Sequence, residues 1–176
     1  MQLPTLEYLK KNNTLIHYFG LGFIQIKIGP CLRYHFYTKE LPATVEGVHN
    51  HRYSFNSTIL KGQLNQYIYF PGPGSSHELF NVSCNPDEPN PEGRELIDLG
   101  DSRVTTILTK GSRYTLNHQV FHKVTADFDT ITEINCGNPR KRFAQVIEPV
   151  GKKRTCPFAN PRKPDELWEL VSEMLK

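Results

Sequence analysis

The sequence predicts an all-β domain with a short helix at each end. Between residues 21 and 148, eight segments are rich in β-branched and aromatic residues and alternate partly in polarity, as half-buried strands do. In residues 32–38, for example, Leu32, Tyr34 and Phe36 fall on one face of a strand. No helical pattern of about ten residues separates these segments, so their order favours a β-sandwich or barrel over alternating strand and helix units.

The two helices are predicted at the ends of the chain. At the start, Pro4 suits a first helical turn, and the nearby leucines form a short apolar stripe. At the other end, Pro164 opens a segment, 164–175, whose early acidic residues suit the positive end of a helix. Its apolar residues repeat at helical spacing and predict a helix packed on the outside of the β core: Leu167, Leu170, Val171, Met174 and Leu175.

The segment from residue 70 to residue 103 interrupts the strand pattern. It is rich in proline, glycine, serine and asparagine, and we interpret it as a long loop insertion that could hold a small hairpin. Loops of this length are often lids over a functional site, and a plain surface insertion is the alternative. The sequence thus predicts one domain, 1–176, with a β core over about residues 20–150.

Composition narrows the class of protein. With 38% hydrophobic and 22% charged residues, the 176-residue chain is typical of one soluble globular domain. The most apolar stretch, residues 15–28, contains His17, Gln25 and Lys27 and is too polar to span a membrane. The first residues do not resemble a secretory signal, so we expect a cytoplasmic protein. The four cysteines form no C-x-x-C pair, and reduced thiols are expected.

The charge is nearly balanced, with a net value of +3, which does not favour nucleic-acid binding. Basic residues nevertheless gather between residues 138 and 163, where Glu148 is the only acid. A solvated face is the favoured interpretation of this cluster, and a surface for an acidic partner, centred on residues 140–154, is the alternative.

His49 and His51 are the most informative residues. Side chains two positions apart on a strand share a face, so both imidazoles could hold one metal ion. A pair of histidines needs a third ligand. His122 is the candidate, and His118, four residues earlier, is an alternative that we expect instead at the surface or beside a ligand. His35 is a candidate for lining a cavity, whereas His17 and His77 are interpreted as surface or loop residues.

Two spacings around these histidines resemble the paired motifs of the cupin family. His49, His51 and Gly62 fall into the frame of the first motif, with Phe55 or Asn56 at the position of its glutamate. The second motif is matched by the spacing from a glycine to a histidine over residues 111–122. Its proline, glycine and asparagine are replaced there by Asn117, Gln119 and Ala126.

The resemblance covers about residues 20–150 and implies a cupin-like double-stranded β-helix, a small barrel or jelly roll. It also implies a metal held by His49, His51 and His122 without the usual carboxylate. Cupins with three histidines include thiol dioxygenases of the cysteamine and cysteine dioxygenase type, which carry ferrous iron. The resemblance therefore implies Fe(II), with Zn, Ni or Mn as other choices, and a homodimer.

Two further residues complete the predicted site. Tyr53 has the same strand parity as His49 and His51 and could donate a hydrogen bond to a bound oxygen. Arg52 or Arg33 could pair with a substrate carboxylate. The resemblance therefore implies an oxygenase-like enzyme for a small polar substrate, a thiol being the first choice. The alternative is a cupin, metal-free or not, that binds a sugar or nucleotide-sugar as an isomerase-like protein or a sensor.

Overall fold

The computed structural model describes residues 2–41, 43, 47–83, 93–99, 103–152 and 161–176. Strands dominate these residues and a helix lies near each end, so the all-β class and both terminal helices are confirmed. The helices are α1 (Leu6–Asn12) and α2 (Pro164–Met174). The strands are β1 (Asn13–Phe19), β2 (Phe23–Ile28), β3 (Leu32–Tyr37), β4 (Val48–His49), β5 (Phe55–Lys61), β6 (Gln63–Tyr69), β7 (Gly72–Val82), β8 (Glu95–Asp98), β9 (Arg103–Thr109), β10 (Arg113–Leu116), β11 (Phe121–Ala126), β12 (Thr130–Cys136) and β13 (Ala144–Pro149).

Two antiparallel sheets pack face to face. The first has six strands in the order β1-β2-β3-β12-β5-β10, and the second has seven in the order β8-β7-β13-β4-β11-β6-β9. Buried side chains join the two sheets: Phe23, Tyr37 and Ile59 from the first meet Leu64 and Leu108 from the second. The space between the sheets is therefore a core of the domain.

The helices cover the other face of the six-stranded sheet. Leu9 of α1 and Leu167 and Val171 of α2 are fully buried against Ile24 and Phe36. Residues at even positions of β2 and β3 thus face the helices, and those at odd positions face the second sheet. The alternation predicted for residues 32–38 therefore separates side chains that pack against the helices from side chains that pack against the second sheet.

Local chemistry sets the ends of the helices. The Thr5 side chain accepts a hydrogen bond from the Tyr8 backbone nitrogen at 3.1 Å and caps the start of α1. Pro164 occupies the first turn of α2, where its missing N–H costs nothing. At the other end of α2, the Lys61 ammonium donates to the Met174 carbonyl at 2.8 Å and ties the helix to β5.

The segment from residue 70 to residue 103 is not the loop insertion that its composition predicted. It contains β7, an 11-residue strand that pairs with β13 on one side and with β8 on the other. The expected hairpin exists, but it belongs to the seven-stranded sheet. The ladder between β7 and β8 is irregular between Pro73 and His77, which is how a proline-rich sequence fits a strand here. Residues 84–92 and 100–102 of this segment lie outside the described residues.

The β structure also begins before residue 20. β1 pairs with β2 along the edge of the six-stranded sheet. Only Tyr18 in this strand is fully buried, so the polar and apolar alternation that marks a strand is weak. An edge strand buries fewer side chains than a central one, which explains why its sequence pattern gave no prediction.

The described residues include two of the four cysteines and both helices. Cys31 and Cys136 are free thiols, as predicted, and Cys84 and Cys156 lie outside the described residues. Neither described helix has the length and apolar character needed to cross a bilayer.

Candidate metal centre

Three imidazoles converge between the two sheets. His49 ends β4 and lies directly opposite His122 in the β4–β11 ladder, which sets their ring centroids 4.8 Å apart. His51 follows two residues later, and its ring centroid is 5.0 Å from each of the other two. One ligand nitrogen from each histidine lies within 4.8 Å of the others. The three histidines predicted from the sequence therefore form a group that could hold a metal ion.

The hydrogen bonds of the imidazoles favour the ligating form. Nδ1 of His49 is 3.1 Å from the Gly47 carbonyl, so this nitrogen carries the proton and Nε2 keeps its lone pair. Nε2 of His51 and Nε2 of His122 are only 2.8 Å apart. Two such nitrogens can approach this closely only with a proton or a cation between them. The donor set and its geometry therefore fit a divalent metal.

His122 is the most deeply buried of the three histidines. It is 3% exposed, and its Nδ1 atom has no hydrogen-bond partner within the described part of the chain. The ring is oriented through its other nitrogen, Nε2, which lies 2.8 Å from Nε2 of His51. The same nitrogen is the one that could ligate a metal ion.

Burial keeps the three histidines neutral. It lowers the pKa of His49, and it lowers the pKa values of His51 and His122 well below the usual value of 6.5. Neighbouring imidazoles lower the pKa values of His51 and His122 further, because positive charges this close repel each other. Neutral imidazole is the form that binds a metal, so the site is ready for a cation at neutral pH.

Aromatic and cationic side chains surround His51. Phe55 meets the imidazole edge to face at 4.9 Å, and the Tyr53 ring lies 5.8 Å away. The Arg33 guanidinium sits 4.7 Å from the Tyr53 ring centre and donates a hydrogen bond to the Tyr53 hydroxyl. Tyr53 thus packs beside His51 with Arg33 as its partner, although β4 ends at His49 and strand parity does not set the position of Tyr53.

Arg52, the other predicted arginine, has a different place. Its Nη1 atom donates to the Arg142 carbonyl at 3.3 Å, and the Arg52 carbonyl accepts from the Arg140 backbone nitrogen at 2.7 Å. These bonds tie Arg52 to the basic segment instead of to Tyr53. Of the two arginines named from the sequence, Arg33 is the one that contacts Tyr53, the tyrosine beside His51.

Phe55 and Asn56, the two residues compared with a glutamate in the sequence, have different environments. Phe55 is buried beside His51 and His122, whereas Asn56 is exposed and accepts from the Thr115 hydroxyl at 2.6 Å. The position facing the histidines is therefore filled by an apolar ring. A metal held here would keep its full positive charge, because its three protein ligands are neutral.

The remaining histidines separate into three environments. His118 contacts the Ser54 hydroxyl through Nδ1 at 3.3 Å and is not part of the three-histidine group. His77 lies in the irregular part of β7 beside Ser76. His35 faces the second sheet, stacked on Phe23 at 4.1 Å, in the position expected of a residue that lines the interior. His17 also faces this interior, so the expectation that it lies at the surface is wrong.

A polar anchor that was not predicted from the sequence holds the histidine segment in place. Asn50 is 1% exposed, and its side chain donates to the Gln145 amide oxygen at 2.8 Å. Its own amide oxygen accepts from the Gln145 backbone nitrogen at 2.8 Å and from the Lys141 ammonium at 2.7 Å. An asparagine between two histidines carries no signal for this role, because its partners lie 91 and 95 residues away.

No protein-family model matches the chain, and no curated protein has a significantly similar sequence. The case for the site therefore rests on its own geometry.

Proposed function

We propose that this protein is a cupin-like metalloenzyme, a mononuclear non-haem iron dioxygenase that acts on a small polar substrate, with a thiol as the first choice. The convergence of His49, His51 and His122 supports the proposal most strongly. Three neutral nitrogen donors leave several coordination positions of a divalent metal open for other ligands. The packing of two antiparallel sheets around the histidines agrees with a double-stranded β-helix.

The metal that such a site would hold can be narrowed by chemistry. Ferrous iron, held by the three histidines, would supply redox chemistry toward dioxygen and a positive charge that favours a deprotonated thiol. Imidazole nitrogens also suit zinc, nickel and copper, and raw affinity does not select iron among them. The choice of iron rests on a group that, among the described residues, contains three histidines and no carboxylate, the feature shared with the three-histidine thiol dioxygenases.

The residues beside the histidines suggest how a substrate is oriented. Arg33 donates to the Tyr53 hydroxyl oxygen, and this hydroxyl also bonds the buried Cys136 thiol, so the tyrosine is held in place beside His51. The Arg33 guanidinium can also pair with a carboxylate while it stays on the tyrosine ring. The pair thus provides a positive charge, held in place by an aromatic ring, on one side of the site.

Elemental analysis tests the proposal. We expect protein purified without chelators to contain about one iron per chain, His122→Ala to lose it, and His77→Ala to retain it. The iron-loaded protein should then consume dioxygen when a small thiol such as cysteamine is added. Wild-type protein that binds none of the divalent transition metals would overturn the proposal and favour a sugar or nucleotide-sugar ligand.

A further inference from the structure

A row of polar side chains crosses the inner face of the six-stranded sheet. His17 is paired with Gln25, Gln25 with His35, and His35 with Thr132, across β1, β2, β3 and β12. Directly paired residues in antiparallel strands project to the same side. These four residues, which we call the polar row, therefore face the seven-stranded sheet together.

The polar row lies deep in an otherwise apolar space. Gln25 is 5% exposed and Thr132 is 1% exposed. Phe23 and Tyr37 of one apolar cluster lie on one side of the row, and Ile134 of another lies on the other side. Four polar residues at such positions lower stability unless their hydrogen bonds are made, so a core built only for stability would not contain them.

The hydrogen bonding of the row is incomplete within the described residues. The Gln25 amide contacts Nε2 of His35 at 2.9 Å. The Thr132 hydroxyl is buried and has no hydrogen-bond partner among the residues that the structure describes. Thr130, on the same strand and also buried, shows the usual arrangement: its hydroxyl accepts from the Gln63 nitrogen at 3.1 Å and donates to the Gln63 carbonyl at 2.9 Å.

The polar row is continuous with the candidate metal centre. His35 and Arg33 project from the same face of β3, and Arg33 contacts Tyr53, which packs beside His51. Arg33 and His35 are close enough to His51 to act on it electrostatically. Gln66, 5% exposed, adds an amide from the facing strand β6. The polar row and the histidines thus face the same space between the two sheets.

We propose that the polar row, with Arg33, is the recognition surface for the part of the substrate that extends away from the metal. This inference rests on the proposed function and specifies its substrate class. The substrate is a small molecule with hydroxyl or amide groups along its chain, and Arg33 favours an anionic group. The unpaired Thr132 hydroxyl is available to bond such a group, and the Gln25–His35 pair can rearrange to do so.

Two three-carbon thiols that differ only in two hydroxyl groups test this surface. The protein is loaded with Co(II), and binding of 1-thioglycerol and 1-propanethiol is followed through the thiolate-to-cobalt absorption. We expect wild-type protein to bind 1-thioglycerol about tenfold more tightly. Thr132→Val should reduce this preference about fivefold, the value of one ordinary hydrogen bond, whereas Thr132→Ser and Thr130→Val should preserve it.

Thermal unfolding of the metal-free protein gives a second, independent result. Thr132→Val should melt at the same temperature as the wild type or higher, because it removes an unpaired buried hydroxyl. Thr130→Val should melt lower, because it breaks two hydrogen bonds. A Thr132→Val protein that melts as low as Thr130→Val, or that keeps the full preference for 1-thioglycerol, would overturn the inference. Failure of the wild type to bind cobalt would overturn the proposed function instead. The melting temperatures of the Thr132→Val and Thr130→Val proteins would then test the polar row without a metal.

Discussion

The role of a single residue in this molecule depends on which side of a sheet its side chain occupies. His51 and His122 come from segments 71 residues apart, yet their Nε2 atoms lie 2.8 Å from each other. His49 has its tautomer set by a carbonyl two residues earlier in its own chain. The ligand set thus combines one locally oriented imidazole with two whose approach depends on the packing of the sheets.

His17 gives the clearest prediction about pH. Burial and, to a smaller extent, the charges of Lys27 and Arg33 lower its pKa from 6.5 to about 4. Between these pH values the unfolded chain binds the extra proton and the folded chain does not, so stability falls as the pH drops from 6.5 to 4. We expect His17→Asn to reduce this loss by about 2 kcal/mol after allowance for solvent screening. Urea unfolding at pH 4, 5 and 7 measures the slope, and an unchanged slope would contradict the assignment.

Arg33 should control the binding of anionic substrates. Loss of one charge-assisted hydrogen bond costs about 1.5–3 kcal/mol, so Arg33→Met should weaken binding of 3-mercaptopropionate to the cobalt-loaded protein by about 10- to 100-fold. Binding of cysteamine, which has no carboxylate, should change little. Arg52→Met is the matched control, because Arg52 bonds the Arg142 carbonyl. Equal losses in the two arginine variants would fail to support the role of Arg33.

Among the secondary-structure elements that carry the site, β4 is the shortest. It has two residues, and its neighbours β11 and β13 hold it through a few ladder contacts. The Asn50 side chain extends this pairing with bonds to Gln145 and Lys141 on the segment around β13. The histidine segment is thus positioned by a buried polar anchor in place of a long strand.

Asn50→Ala should lower metal affinity more than its effect on stability explains. Removing a buried side chain with three polar contacts should destabilise the fold by about 2–4 kcal/mol. Leu167→Ala in α2 should destabilise the fold by a similar amount, because Leu167 is fully buried against the helix-covered face of the six-stranded sheet. We expect zinc affinity to fall about tenfold or more in Asn50→Ala and to stay near wild type in Leu167→Ala. Isothermal titration at a temperature where both variants are folded compares them, and equal affinities would assign Asn50 a purely structural role.

The whole molecule has three layers, which are the pair of helices, the six-stranded sheet and the seven-stranded sheet, and a separate core lies between each two neighbouring layers. The helices and one face of the six-stranded sheet form an apolar core around Leu9, Ile24 and Phe36. The space between the sheets combines apolar clusters with the polar row and the histidines. Stability can therefore come largely from the first core, which leaves the second free to hold costly polar groups.

Metal binding should raise the stability of the whole domain. An ion that binds only the folded protein stabilises it by about 2.7 kcal/mol at a free concentration 100 times its dissociation constant. We expect a higher melting temperature when zinc is added to chelator-treated wild-type protein and no change for His51→Ala. The measurement is differential scanning calorimetry at several zinc concentrations. A rise of the same size in His51→Ala would place the bound zinc elsewhere.

Local patterns in the chain were enough to predict the strands of β2, β3 and β12, both helices and the nearness of the His49 and His51 imidazoles. These features depend on periodicity and on residues close in sequence. The same approach failed for β7, because proline and glycine signal a loop even where an irregular ladder accepts them. It also missed β1, where an edge position leaves little alternation to detect.

Other features depend on strand register and could not be read from the chain. The contact of His51 with His122, the pairing of Arg33 with Tyr53 and the Asn50 anchor each join residues at least 20 positions apart. The polar row needs the register of four strands at once. A shift of one residue in any ladder would turn these side chains to the opposite face, so the site exists only when the sheets are correctly paired.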